Sequence, residues 1–318
     1  MAANAAETSF PAMGSRTHVI VVGDPKLLGM ARSRVEELEA RWSRFRPDSE
    51  LSALNAADGA WCALSPLTFA LVSKAVLAWD VTGGLFDPTI LPALEAAGYV
   101  GSFAASPPPS PTSAAPEGRP APGCTDIEFD GHRVRLPRGV RIDLGGIGKG
   151  FAADVLVSEL IEAGAHGVCV NMGGDLRVSG APPDGVAWTV AVADEANPQR
   201  DRAQLALSEG AVATSTRLRR RWQQDGQHRH HLIDPTTGTC THNDVDTVSV
   251  IAAESHWAEV LAKSALVAGV TAGTGLLHTW GVAGLLVTED GAAHPAGPWK
   301  EFVAWTPNSI GTSPGPAG

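Results

Sequence analysis

Cysteine is scarce in this 318-residue chain: Cys62, Cys124, Cys169 and Cys240 stand far apart, with no C-x-x-C pair among them. That spacing suggests neither a zinc ribbon nor a disulfide framework and leaves isolated thiols. Basic charge is also in short supply. Lys and Arg total 24 against 34 Asp and Glu, for a net charge of −10, so no cationic surplus exists for a sequence-independent grip on nucleic acid. Any phosphate must be met by local groups. No run of about 18 apolar residues marks a membrane span. Met1 to Arg16 lacks the basic-then-apolar pattern of a secretion signal and any cysteine placed for lipid attachment. A soluble, cytoplasmic protein without a membrane anchor is the expectation.

Backbone punctuation, in contrast, is abundant. The 35 glycines and 23 prolines are too many for a helical bundle and too aperiodic for collagen, while an apolar content of 44% suits a folded core. His18 to Val22 reads as a strand. Leu28, Ala31, Val35, Leu38, Trp42 and Phe45 then step by three and four and predict an amphipathic helix. A second helix opens at Ser65-Pro66, a side-chain cap with proline at the first helical position, and stops at Gly83. Residues 1–101 thus form a part with two long helices. Residues 102–123 are a Pro/Ala/Ser-rich insertion, readable as an interdomain linker or as a long loop inside one domain. Residues 124–305 form a second part, with strands at Ile127–Phe129, at Arg133–Leu136, up to Asp143, and at Val168–Met172, Trp188–Ala193, Thr247–Ala252, Gly284–Thr288 and Phe302–Trp305. Helices fall at about Phe151–Ala163 and at Trp257–Ala268, the latter ending at Gly269. Residues 306–318 read as a frayed tail. Helices inserted among strands without regular βαβ alternation predict an α+β fold with mixed, largely antiparallel sheets.

The densest chemical signal is Asp143-Leu-Gly-Gly-Ile-Gly-Lys-Gly150. Its glycines let backbone N–H groups approach an anion, a helix follows, and Lys149 adds a full charge, so a diphosphate fits. It is neither a Walker A loop nor a dinucleotide fingerprint, because Asp143 stands where the first needs glycine and Phe151 where the second does. Asn171-Met-Gly-Gly-Asp175 combines glycines, an amide and a carboxylate, and reads equally as a plain turn. His231-Leu-Ile-Asp-Pro-Thr-Thr-Gly238 follows His228 and His230. Zinc is disfavoured there because no partner ligand sits at a recognised spacing, His228 is expected on a solvated hairpin with Arg229, and His231 and Asp234 are the better site residues. The basic run Arg217, Arg219, Arg220, Arg221 reads as a solvated face or a flap over an anionic ligand.

Taken in order, the segments Met13-Gly14-Ser15, Ser43 to Phe45 with Ser49 to Asn55, Thr82 to Thr89, Asp143 to Gly150 with Asp154, Asn171 to Asp175, Ala213 to Ser215 and His231 to Gly238 resemble the motif series of the ApbE-type FAD:protein FMN transferases. The resemblance covers nearly the whole chain apart from the insertion and the tail, and it implies a two-lobed architecture. It also implies a reaction. FAD is bound, Mg²⁺ polarises its diphosphate, and FMN passes as a phosphoester to a Thr or Ser of a partner protein with a D-x-x-S/T-G-A-S/T-like segment, releasing AMP. By resemblance Met13, Phe45, Leu85, Phe86 and Asp87 line the flavin pocket, Asp143, Lys149 and Leu232 also contact FAD, and Gly146 offers a carbonyl to the metal. His231 is the candidate for taking the acceptor's proton.

One segment departs from the family pattern. At Ala258-Glu-Val-Leu-Ala-Lys263 the family usually carries Asp and, four residues on, Thr as Mg²⁺ ligands; this chain has Glu259 and Lys263. Glu259 keeps a hard oxygen on a longer stem. A protonated Lys263 cannot ligate a cation, but it can touch the diphosphate and supply part of the metal's charge; alternatively the two form an ordinary i,i+4 helix pair. Two further readings stay open beside the transferase: a non-catalytic FAD-binding protein, and a pyrophosphatase giving FMN and AMP.

Overall fold

The computed structural model describes residues 5–101, 118–197, 199–224 and 226–305. The chain opens with strands β1 (Ala5–Ala12) and β2 (Ser15–Val22), then α1 (Leu27–Trp42), α2 (Glu50–Ala56), β3 (Cys62–Ala63), α3 (Pro66–Val81) and α4 (Leu91–Ala96). Next come β4 (Glu128–Asp130), β5 (Arg133–Arg135), α5 (Gly148–Glu162), β6 (Gly167–Met172), β7 (Asp175–Gly180), β8 (Trp188–Ala193), β9 (Asp201–Leu207) and β10 (Gly210–Thr216). Two small hairpins follow, β11 (Arg221–Gln224) with β12 (Gln227–His230), and β13 (Ile233–Asp234) with β14 (Thr239–Cys240). The last elements are β15 (Val245–Ala252), α6 (Ser255–Thr279), β16 (Ala283–Thr288), β17 (Ala293–Ala296), the single turn α7 (Trp299–Phe302) and β18 (Val303–Trp305).

One eight-stranded sheet, ordered β1-β2-β6-β7-β10-β15-β16-β17, organises the molecule, and every neighbouring pair runs antiparallel. The fold is α+β, as expected. Because β2 pairs with β6, the chain before and after the insertion builds the same sheet. Residues 118–123 of the insertion are held in place: Ala121 N–H donates to Pro235 O at 2.7 Å and Gly123 N–H to Thr89 Oγ1 at 3.0 Å. Residues 102–117 and the tail 306–318 lie outside the described residues.

The sheet is buried on both faces, and the period-two alternation of its strands decides what covers each. On one face Val19, Val21, Val168, Val170 and Met172 pack under α1 and α5, in a core that α3 also joins, while Val248, Val250 and Leu286 pack under α6. The opposite residues, among them Val22, Cys169, Leu285 and Val287, meet a second antiparallel sheet of β18, β9 and β8. Helix α1 buries Ala31, Val35, Leu38 and Trp42 from its apolar stripe. Phe45 lies beyond the helix end and is 38% exposed.

Several sequence expectations change. Pro66 does open α3, but the Ser65 hydroxyl donates to Glu50 Oε2 at 2.9 Å instead of capping the helix. The segment ending at Asp143 is not a strand. Asn55 clamps it through a reciprocal pair, its Nδ2 donating to Ile142 O at 2.9 Å and its Oδ1 accepting from Ile142 N–H at 2.8 Å. The last helix does not end at Gly269; that residue is a kink (φ 79°, ψ 178°), and helix resumes to Thr279. By length and a mean hydropathy of 1.5, α6 passes as a membrane span, contrary to the sequence reading, yet half of that stretch is buried under the sheet. Phe302 closes a helical turn and not a strand.

Helices α5 and α6 approach at Gly150, where a Cβ would come within 2.6 Å of the Ser255 carbonyl group and 2.7 Å of His256 Cα. Both obstacles are backbone, so the helices must separate to admit a methyl group. Gly150→Ala is expected to lower unfolding free energy by roughly 1–3 kcal/mol in urea titrations; an unchanged midpoint would show that this contact does not set the helix spacing.

Candidate active site

The turn between β1 and β2 puts both central residues at positive φ, Met13 at 48° and Gly14 at 65°, as a two-residue hairpin requires. Met13 N–H donates to Glu39 Oε1 of α1 at 2.9 Å, which fixes the turn over the helices. Beneath it opens a cavity of about 440 Å³ lined by Met13, Trp42, Phe45, Leu85, Phe86 and Tyr99, with the glycine loop Leu144–Gly148 along one side. A second, more polar cavity of about 760 Å³ lies next to it, bounded by Asn171, Asp175, Thr214, Ser215 and Glu259. Gly145, Lys149, Arg220, His231 and Lys263 line both. The site residues expected from the resemblance border the first cavity except Glu259, which borders the second; Asp234 borders neither, its Oδ1 accepting from Thr236 N–H at 2.8 Å and Thr236 Oγ1 at 2.7 Å.

The wall common to the two cavities is charged and internally paired. Lys149, at the start of α5, donates to Asp175 Oδ2 at the start of β7 and to Glu259 Oε1 of α6 at 2.8 Å. Glu259 Oε2 accepts the Gly150 N–H at 2.9 Å, so both oxygens of this buried carboxylate are engaged. Burial works against the Lys149 charge, but the fields of Asp175 and Glu259 outweigh it and raise the ammonium's pKa. Burial and Glu259 together push Asp175 up to about 6 against the pull of Lys149. Lys263 lies one helical turn beyond Glu259. Burial and Lys149 lower its pKa, opposed by Glu259, Asp175 and Asp143. Its Nζ lies 2.9 Å from where a Gly146 Cβ would stand, and Phe86 lies 3.0 Å from the same point, so Gly146 leaves the room that Lys263 fills.

Asp143 does two things. Its Oδ1 accepts the Gly145 N–H at 2.9 Å and shapes the glycine loop, while Oδ2 pairs with Arg44 Nε at 2.7 Å. Arg44 was not singled out from the sequence, yet its guanidinium also lies 4.1 Å from the Phe45 ring centroid and 4.7 Å from that of Tyr99. It therefore steadies the aromatic side of the cavity. Asp87 is buried, and its Oδ1 accepts both from Thr89 N–H at 2.7 Å and from Thr89 Oγ1 at 2.6 Å. Its carboxylate shapes the cavity wall through this turn. Leu232 is wholly buried behind the wall.

His231 is the titratable group best placed to move a proton. Burial, reinforced by Arg220, Lys263, His230 and Lys149, holds its pKa well below 6.5, so the imidazole is neutral at pH 7. Of the neighbouring histidines, His228 is exposed and His230 is buried with Nε2 3.2 Å from Thr241 O; among the described residues no group of three or more His, Cys, Asp or Glu gathers as for a metal. Arg229 is buried rather than solvated. Of the basic run, Arg217 is held by Asp246 at 2.6 Å and Arg219 by Glu195 at 2.5 Å; Arg220, at φ 49°, reaches both cavities. Asn171 closes its own turn, its Oδ1 accepting Gly174 N–H at 2.9 Å, and only Asp175 of that motif reaches the ion cluster. Asp154 acts at one remove. It accepts the N–H groups of Ser255 at 2.7 Å and His256 at 3.0 Å, capping the helix that carries Glu259 and Lys263.

A profile of the ApbE family matches residues 13–286. The chain belongs to the ApbE family. A relative from Vibrio cholerae, named FAD:protein FMN transferase, is 30% identical over 314 residues, covering 93% of this chain and 92% of its own. One of the same name from Treponema pallidum is 30% identical over 280 residues, covering 80% and 75%. Among solved structures, the ApbE protein of Thermotoga maritima superposes with a TM-score of 0.83 at 25% identity, covering 94% of this chain and 99% of its own. The flavin transferase ApbE of Vibrio cholerae gives 0.79 at 27%, with the same coverage.

The magnesium ion implied by the family resemblance fits this family member's donor set poorly. Mg²⁺ needs hard oxygen donors in near-octahedral order. Here each Glu259 oxygen already accepts a hydrogen bond, Asp175 is held by Lys149, and the neighbour one turn along α6 is an ammonium. The Lys149 cluster itself is testable. Lys149→Met strands two buried carboxylates and is expected to cost about 3–5 kcal/mol of stability. Those carboxylates lose their cation, so the deficit shrinks as pH falls and they protonate. Urea unfolding at neutral and mildly acidic pH measures it, and a pH-independent deficit counts against the assignment.

Proposed function

We infer that this protein is an FAD:protein FMN transferase. The observation that carries the reading is the shared wall: an apolar cavity able to hold a planar ring system and a polar cavity open to a second reactant meet at Lys149, His231, Lys263 and the glycine loop. The relatives' names supply the substrate and the transferred group. The FAD diphosphate lies along the glycine loop, and an acceptor Ser or Thr, within a D-x-x-S/T-G-A-S/T-like segment, enters through the polar cavity.

The chemistry follows from these positions. The neutral His231 takes the proton of the acceptor hydroxyl. The hydroxyl oxygen bonds to the FMN phosphorus while the bond from that phosphorus to the bridging oxygen breaks. The bridging oxygen departs with AMP, and the proton passes from His231 to solvent. Aligning the acceptor in line with the breaking bond and neutralising the leaving phosphate supply most of the acceleration.

Incubation with FAD and an acceptor carrying that segment is expected to release AMP and leave covalent FMN on the acceptor, detected by chromatography and mass spectrometry. AMP and free FMN without a labelled acceptor would mark a pyrophosphatase instead. His231→Ala is expected to lower turnover by about 100- to 10,000-fold. Because the His231 pKa is depressed, wild-type activity should stay level as pH falls through 6.5 and drop only below it; an acid limb centred at or above 6.5 contradicts the role given to His231.

A further inference from the structure

We propose that the Lys263 ammonium is the resident counter-ion of the FAD diphosphate, so that transfer at this site needs no divalent cation. The inference rests on the transferase reading above and adds to it how the leaving group's charge is met. Lys263 borders both cavities, directly over Gly146 of the glycine loop. Among the described residues its Nζ makes no hydrogen bond or ion pair, whereas Lys149, Arg44, Arg217 and Arg219 are each tied to a carboxylate. An ammonium that brings three donors into a largely enclosed wall and finds no acceptor is costly unless a ligand supplies one.

The charges around it point the same way. Asp143 is matched by Arg44, and the carboxylates of Asp175 and Glu259 close on Lys149. That leaves Lys263, and Arg220 with its long 3.5 Å contact to Gly14 O, as the cations free to meet an anion at the junction. The diphosphate brings negative charge to that place and gathers more on the bridging oxygen as the bond to the FMN phosphorus breaks. An ammonium beside that oxygen stabilises the departing AMP phosphate as it forms. A divalent ion at Glu259 would compete with Lys149 and Gly150 for its oxygens while sitting against the Lys263 charge.

The experiment uses the full chain freed of metal by dialysis against EDTA. AMP release and acceptor labelling are measured with FAD in excess EDTA and again in millimolar Mg²⁺, and FAD affinity is measured by titration in EDTA. Wild-type rates in the two conditions should agree within about threefold. Lys263→Met should weaken FAD binding and AMP release in EDTA by about 10- to 100-fold with its unfolding midpoint retained. Lys263→Arg should recover part of that loss, and Lys263→Thr should acquire dependence on Mg²⁺ that the wild type lacks. The inference is overturned by wild-type turnover abolished in EDTA and restored by Mg²⁺, by stoichiometric Mn²⁺ binding to the FAD-loaded wild type in paramagnetic resonance, or by FAD affinity indifferent to Lys263→Met. No AMP from the wild type in either condition would defeat the transferase reading, and the affinity and Mn²⁺ measurements would still decide the place of Lys263.

Discussion

The contact of Lys149 with Asp175 and Glu259 is the constraint from which the site takes its shape. It joins the first turn of α5, the start of β7 and the second turn of α6 at one buried point. Removing three charges from water is expensive, and mutual attraction only partly offsets the cost, so such a cluster is poorly suited to adding stability. What it does specify is position. With Glu259 fixed on Lys149 and on the Gly150 N–H, the rotation of α6 about its axis is set, and the residue one turn further along must face the cavities. That residue is Lys263. Capping of α6 by Asp154 and the absence of a side chain at Gly150 serve the same end, since they fix where α6 begins and how closely it lies on α5.

Much of the local structure was legible because it depends on sequence-near patterns. The stripe in α1 and the proline opening α3 announce themselves within one or two helical turns. The sheet was less legible. Strands β7, β9 and β10 went unrecognised: β10 consists of small residues such as Ala211, Val212 and Ala213, and β7 begins inside a motif that reads as a turn. The stretch before Asp143 looked like a strand because it is extended. Its backbone partner turned out to be the Asn55 amide, and no neighbouring strand pairs with it, a relation across 87 residues that periodicity cannot carry. Gly269 misled for a related reason: a glycine at positive φ usually closes a helix, and here the helix resumes because both flanking segments remain covered by the sheet.

The site divides in the same way. Residues carrying recognisable motif chemistry were found in order, and the fold collects them around two cavities. Arg220 belongs to a basic run that reads equally as a solvated face or as a flap over an anionic ligand, and Arg44 lies in the Ser43 to Phe45 segment without a role of its own; only the fold separates both from surface charge. Asp87 shows the converse. It belongs to a motif, but its Oδ1 is spent on the Thr89 turn, so the motif preserves the shape of a wall as much as a contact.

A chain with a net charge of −10 that handles an anionic diphosphate needs its own physical account. At physiological ionic strength, exposed charges are screened over about 8 Å, so the acidic surface weighs little inside a recessed cavity. Within the shared wall the balance is local. Arg44 and Lys149 cancel carboxylates that would otherwise repel a phosphate, and Lys263 and Arg220 remain as unspent positive charge. Pairing the other cations so fully concentrates the attraction at one place. On the proposed reading, the diphosphate is therefore drawn to the junction of the cavities, beside His231, and not to the protein surface at large.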